Sequence, residues 1–290
     1  MNGFVNIIKP KDMSSALAVM LIKKKIRQQF GKQSIGHMGT LDPMAQGVLP
    51  MGINQANRLF DYLLDKTKVY VAEFTFGYET DTLDITGNKI NTSDIIPSKE
   101  QIESILSDFV GEIDQVPPKY SAKNIEGKRG YELARAGVEF ELQPKKVTVL
   151  SFELIKQIDE YTFEFKISCK GGTYIRSLCR DLAHKLDTFA VMSKLDRQEC
   201  GFFTIKNAVK LQQFIDCEDI SSFIIPPDAV IAFPQLNLSE NQSKKLLNGV
   251  FDAVYDVADG LYRVYSVNDF WGIGEVIDKR LKMKSYVRDL

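Results

Sequence analysis

Residues 36–52 read GHMGTLDPMAQGVLPMG, a stretch with four glycines, two prolines, one histidine and a single carboxylate, Asp42. A lone carboxylate on a glycine-rich loop is a candidate nucleophile, because carboxylates form covalent intermediates with the anomeric carbon of a sugar. A retaining glycosidase also needs a second carboxylate as acid, and this loop holds none, which argues against simple hydrolysis. A local explanation competes on equal terms: Asp before Pro is a good helix N-cap, with Pro43 at the first helical position. His37 is one of only two histidines, and with no hydroxyl nucleophile beside it a general-base role has little support.

Metal chemistry has little to work with. The cysteines are Cys169, Cys179, Cys200 and Cys217, no two of them at zinc-knuckle spacing, and the other imidazole is His184. Four reduced thiols and no metal are expected. Hydrophobic residues make up 44% of the 290 and charged ones 26%, which excludes a disordered or collagen-like chain. The apolar run at 16–22 lies too far inside for a signal peptide and is too short to span a bilayer, so a cytoplasmic protein without membrane segments is expected.

The elements that must position Asp42 are legible as periodicity. Residues 4–8 are a short apolar strand. Ser14-Ser15 then opens a helix with Val19, Ile22, Ile26 and Phe30 three and four apart, which Gly31 ends. Residues 69–78 alternate strictly, with Tyr70, Ala72, Phe74 and Phe76 on one face, and 161–169 alternate through Tyr161, Phe163, Phe165, Ile167 and Cys169. A Gly171-Gly172 turn leads into a helix from Thr173. Strands and helices mix without a βαβ rhythm, so the reading is α+β with a mixed, largely antiparallel sheet. After a capped helix from Ser239 to near Gly249, four short β-rich runs at 251–257, 261–267, 271–277 and 283–287 suggest a small β-barrel module. The acidic, Pro226-Pro227-containing stretch 216–234 is the expected junction, giving domains at 1–234 and 235–290.

Charge adds a partner class. The totals nearly cancel, 37 Lys and Arg against 38 Asp and Glu, but the distribution is uneven. Residues 1–35 carry Lys9, Lys11, Lys23, Lys24, Lys25, Arg27 and Lys32 against Asp12 alone. Residues 119–146 carry Lys119, Lys123, Lys128, Arg129, Arg135, Lys145 and Lys146 against four glutamates. Local potential steers a polyanion, although solvated helix faces would look the same.

The 36–50 stretch closely resembles the active-site motif of the bacterial tRNA pseudouridine-55 synthases, the TruB family. The resemblance continues, in the family's order, through Lys68-Val69-Tyr70, GYETDTLDITG at 77–87, PPKYSAKNIEGKRGYELARAG at 117–137, KGGTYIRSLCRDL at 170–182 and Leu195-Asp196-Arg197. The tail around Phe270-Trp271-Gly272 looks like that family's PUA-type RNA-binding module. What the resemblance implies is a pseudouridine synthase fold with a PUA-like appendage and isomerisation of one uridine in the T-arm loop of tRNA. It implies no cofactor, and the chain is expected to act as a monomer. By motif match Asp42 is the catalytic aspartate, attacking C1′ of the ribose or adding to C6 of the base. Tyr70 is the active-site tyrosine that stacks on a flipped base or moves a proton, and Arg176 is the arginine that pairs with the carboxylate. His37 would position RNA, Tyr174 and Leu195 would wall the base pocket, and Lys9 and Lys11, with the mobile insertion at about 117–146, would hold phosphates. Without the resemblance, Tyr70 reads as a core tyrosine and Arg176 as a surface arginine near Arg180 and Asp181. Two rivals remain: an RNA-binding protein or tRNA-folding chaperone without essential turnover, and a nucleoside hydrolase using Asp42. The joint presence of Asp42, Tyr70 and Arg176 favours the synthase.

Overall fold

The computed structural model describes residues 1–63, 67–121, 124–125, 128–130, 136, 138, 140, 142–248, 255–267 and 269–287, with the backbone alone at 124–125 and 128–129. In chain order the elements used below are strand β1 (Gly3–Lys9), helix α1 (Ser15–Phe30), strands β2 (Ile35–His37), β3 (Gln46–Ile53), β4 (Lys68–Phe76), β5 (Gly111–Gln115), β6 (Lys145–Gln157) and β7 (Thr162–Cys169), helix α2 (Ile175–Lys185), strands β8 (Ala190–Cys200) and β9 (Val209–Lys210), helix α3 (Leu211–Asp216), strand β10 (Gln235–Leu238), helix α4 (Glu240–Leu247), and strands β11 (Gly260–Ser266), β12 (Asp269–Ile277) and β13 (Arg280–Tyr286). The chain divides into two compact units, one of Met1–Pro43, Gly47–Asp65 and Gly201–Leu290, the other of Met44–Gln46 and Lys66–Cys200.

In the first unit β1 pairs antiparallel with β3 and parallel with β9, and β2 adds to β3. Helix α1 begins where the Ser14 hydroxyl accepts the Leu17 N–H and ends at Gly31, whose φ of +73° a side chain would resist. Its residues Ala18, Ile22 and Ile26, one turn apart, bury against Val5, Ile7, Leu49, Met51 and Phe214. In the same unit the C-terminal segment builds its own core from Leu236, Leu238, Leu246, Tyr262, Val264, Trp271, Val276 and Leu281.

That C-terminal segment differs from expectation in its closure. Among the described residues it is a four-stranded sheet in the order β10-β11-β12-β13, with β10 parallel to β11, and it does not close into a barrel. The 251–257 strand expected from sequence falls mostly outside the described residues. Residues 216–234, the expected junction, are bonded to strands on both sides. Phe4 and Ile225 exchange both backbone hydrogen bonds at 2.8 Å, and Arg263 and Tyr265 bond to the Phe233 carbonyl and the Asp228 carboxylate. The junction is sewn to β1 on one side and to β11 on the other, so residues 235–290 fall in one compact unit with the N-terminal segments.

The second unit is a sheet in the order β8-β4-β7-β6-β5, antiparallel at every step. The alternation of β4 holds: Tyr70, Ala72, Phe74 and Phe76 are buried. Phe163, Phe165, Ile167 and Cys169 of β7 are buried as well, but Tyr161 precedes the strand and is exposed. The core is an aromatic stack in which Phe165 lies 4.7 Å from Phe74 and 5.4 Å from Phe152 between ring centroids. No helix among the described residues is long and apolar enough to cross a membrane. Phe165→Ala should therefore lower the unfolding free energy by about 3–5 kcal/mol in denaturant titration. Tyr161→Ala should change it by no more than about 0.5 kcal/mol.

Candidate active site

Asp42 sits half-buried in the loop between β2 and β3. A turn at Pro43-Met44 follows it and then β3, with no helix, which removes the helix-cap explanation of this aspartate. Both flanks of Asp42 are fastened from within the first unit. On one side the buried Ser15 hydroxyl, at the start of α1, bonds both the N–H and the carbonyl of Leu41 at 2.8 Å. On the other the Lys9 ammonium donates to the carbonyls of Pro10 at 2.8 Å, Met13 at 2.6 Å and Pro43 at 3.3 Å. The base of the loop is tight too. Gly36 and Gly52 face each other across β2 and β3, and a Cβ on either would come within 2.5 and 2.7 Å of the Asn57 Oδ1.

Lys9, expected to hold an RNA phosphate, is a correction. It is fully buried, and its ammonium donates to carbonyls of the β1–α1 connection and of the Asp42 loop. Lys11 is exposed. His37 is exposed on β2, and its Nδ1 accepts the Gly39 N–H at 3.2 Å.

In the second unit the β4 register sets the site. Tyr70 lies opposite Ile167 on one neighbour and Arg197 on the other, and Ala72 lies opposite Leu195. Opposed residues share a face, so Tyr70, Leu195 and Arg197 stand together. Leu195 is buried. Arg197 is fully buried and hydrogen-bonds the Tyr70 phenol. Burial pushes that phenol up to about 12, and the Arg197 charge and hydrogen bond only partly pull it back. Tyr70 is thus a neutral ring with a fixed hydroxyl throughout the physiological range.

Arg176 enters α2 in its first turn and is buried, not the surface arginine that spacing alone suggests; Arg180 and Asp181 instead pair with each other at 2.7 Å. Its Nη1 donates to the Thr82 carbonyl at 3.0 Å and lies 3.6 Å from the Asp84 carboxylate, while Nη2 donates to the Tyr120 carbonyl at 3.1 Å. Asp84 is itself held by the Thr82 hydroxyl, the Thr86 N–H and the Thr86 hydroxyl at 2.6–2.9 Å. Tyr174 is half-buried, its backbone N–H and carbonyl both bonded by the buried Gln115 side chain at 2.8 and 3.2 Å.

Of the basic 119–146 cluster, Lys123 and Arg135 lie outside the described residues, as do the side chains of Lys128 and Arg129. Lys119 and Lys145 are exposed, and Lys146 is 3.2 Å from Glu112 and 3.8 Å from Asp114. The structure adds Asp84, Gln115 and Arg197, to which sequence reasoning gave no site role, and gives Ser15, read only as part of a helix start, the fixing of Leu41. Only Arg197 left a usable signal, a charge on an alternating strand in phase with Leu195.

The sequence profile of the TruB family pseudouridylate synthase N-terminal domain matches residues 27–175. The chain is 40% identical to "tRNA pseudouridine synthase B" of Clostridium kluyveri over 293 residues, covering 98% of each chain. It is also 40% identical to the protein of that name from Caldanaerobacter subterraneus subsp. tengcongensis over 287 residues, again with 98% of each covered. Among solved structures, one titled "Structure of H/ACA RNP bound to a substrate RNA containing 2'-deoxyuridine" superposes with a TM-score of 0.71 at 20% identity, covering 99% of this chain and 85% of that one. At that identity it establishes the fold.

Two expectations test this geometry. Lys9→Met leaves three carbonyls short of a donor, at about 1–3 kcal/mol. It should lower kcat at least tenfold, about 1.4 kcal/mol, while keeping the far-UV circular dichroism. The activity profile should show no falling limb from Tyr70 near the ordinary phenol pKa of about 10, because the raised phenol stays protonated until the pH nears 12.

Proposed function

The chain belongs to the TruB family of pseudouridylate synthases, and from that premise we propose that it isomerises uridine 55 in the T-arm loop of tRNA to pseudouridine. The observation that carries this reading is full-length relatedness to enzymes named tRNA pseudouridine synthase B, joined to a lone carboxylate whose loop is fastened on both flanks. Asp42 attacks C1′ and breaks the N1–C1′ bond, so uracil departs as a stabilised anion. The base turns and C5 bonds to C1′, expelling the carboxylate; C5 then loses its proton and N1 gains one. Addition of the same carboxylate to C6 is the alternative first step. Neither route calls for a metal or a cofactor.

Tyr70 supplies the ring on which the extruded base stacks, since a base inside a stacked loop hides its glycosidic bond. Its hydroxyl, held neutral, is a hydrogen-bond donor and not a ready base. Arg176, already anchored by Asp84, serves as the cation that keeps the Asp42 carboxylate ionised. Leu195 and Tyr174 wall the base site, His37 positions RNA, and Lys11 and the exposed lysines of the 117–146 insertion meet phosphates. Residues 235–290 act as an RNA-binding module, and the protein works on tRNA in the cytoplasm as a monomer.

The test uses unmodified tRNA transcript carrying tritium at C5 of its uridines, incubated without added metal or nucleotide. About one tritium per tRNA should reach water, mapped to the T-loop and lost in Asp42→Ala, whose tRNA affinity should stay within a few-fold. No release despite tight binding would favour the tRNA-folding chaperone, and release of free uracil would favour a hydrolase. Tyr70→Phe should keep most of the rate that Tyr70→Ala loses if stacking is the role; an equal loss would assign the hydroxyl a proton transfer. Removal of residues 235–290 should weaken tRNA binding and leave residual turnover.

A further inference from the structure

Most of the buried or half-buried cations near the site have a visible reason for their burial. Lys9 holds carbonyls, Arg176 holds Asp84, and Arg197 holds the Tyr70 phenol. Lys68 has none. It is half-buried at the start of β4, two residues before Tyr70 on the same face, about 7 Å along the strand. Its neighbours in register are Cys169 on β7 and Cys200 on β8. Burial pushes the Cys169 thiol up to about 11, so it offers no anion. The carboxylate of Glu199 stands opposite Val69 and therefore belongs to the other face of the sheet. No hydrogen bond or ion pair to the Lys68 ammonium occurs among the described residues. Burial first, and then the charge of Arg197, push it below its ordinary range. A desolvated, uncompensated ammonium costs stability, and an incoming anion would reverse that cost.

Two further features lie at this end of the sheet. The Lys170 ammonium reaches Thr67, the residue before Lys68, at 3.0 Å, which brings a second cation to the same edge. Directly after it come Gly171 and Gly172. Gly172 needs no ligand to explain it, since its φ is +95°. Gly171 is different: it lies outside the left-handed region, and a Cβ there would meet no protein atom within 4 Å. Nothing in the fold requires glycine at 171, whereas close approach of a bound molecule to the backbone would.

We propose that Lys68 and Lys170, with the backbone at Gly171, form a phosphodiester subsite that grips the RNA backbone beside the uridine stacked on Tyr70. This rests on the reading of the chain as an RNA-modifying enzyme and gives that site a positioning device. A phosphate there would fix the strand at about two residues' distance from the ring, and would restore the ammonium of Lys68 to its ordinary proton affinity.

The experiment measures binding of unmodified tRNA transcript across a salt series, with thermal unfolding and kcat alongside, for wild type, Lys68→Met, Lys68→Arg, Lys170→Met and Gly171→Val. Lys68→Met should weaken binding about tenfold, the scale of one charge-assisted contact. It should also flatten the plot of log affinity against log salt by about 0.7, one single-strand phosphate. Its unfolding temperature should hold or rise, because an uncompensated charge has been removed; a lysine that merely braced the fold would lower it. Lys68→Arg should restore the salt slope, Lys170→Met should reproduce the slope loss from an exposed position, and Gly171→Val should weaken binding without unfolding. An unchanged slope in both methionine variants overturns the subsite, as does a loss confined to kcat. If wild type binds tRNA but releases no tritium, the enzymatic reading fails, and the slopes still decide the subsite.

Discussion

The site depends first on a charge that has no water. The Lys9 ammonium is fully buried at the end of β1, and a desolvated cation must be surrounded by acceptors or be expelled from the fold. Its acceptors are the carbonyls of Pro10, Met13 and Pro43, so the entry to α1 and the turn after Asp42 are held to one point. Ser15 fixes Leu41 from the other side, and between them Asp42 has little freedom to wander. A carboxylate acting as nucleophile gains from such restraint, because orientation is settled before substrate arrives.

The second unit solves a similar problem with a sheet. Antiparallel pairing puts Arg197 directly beside Tyr70, and burial of both makes their hydrogen bond the natural satisfaction of each. Arg176 draws on loop carbonyls and on Asp84 Oδ2, while Thr82 and Thr86 occupy the other oxygen, Oδ1. Such charges are retained against the desolvation cost because acceptors stand beside them; removing a partner would leave a buried charge less compensated. Lys68 departs from this pattern on the same face: it is half-buried, and no hydrogen bond or ion pair to its ammonium occurs among the described residues.

How much was legible beforehand depended on range. Helix α1 could be read from Ser14, the one-turn spacing of its apolar residues and Gly31, all local signals, and it runs Ser15–Phe30. The β4 alternation likewise survived folding because period-2 burial is a property of the strand itself. The closed C-terminal barrel did not, since closure depends on pairing between distant strands, and β10 pairs parallel with β11 across more than twenty residues. Lys9 was misjudged for the same reason. A lysine beside a proline looks like a surface cation until Pro43, thirty-four residues on, is seen to cover it.

The sequence by itself determined the family-bearing chemistry: a solitary aspartate on a glycine-rich loop, a tyrosine on an alternating strand and an arginine at a helix start, in an order that short-range motifs preserve. Only the tertiary structure decided the state of those groups. It removed the helix from behind Asp42, raised the Tyr70 phenol, buried Arg176 onto Asp84, and assigned Arg197 and Lys9 their work. The physical reason is that residue type and spacing are fixed along the chain. Desolvation and pairing instead depend on which distant segments exclude water from each group.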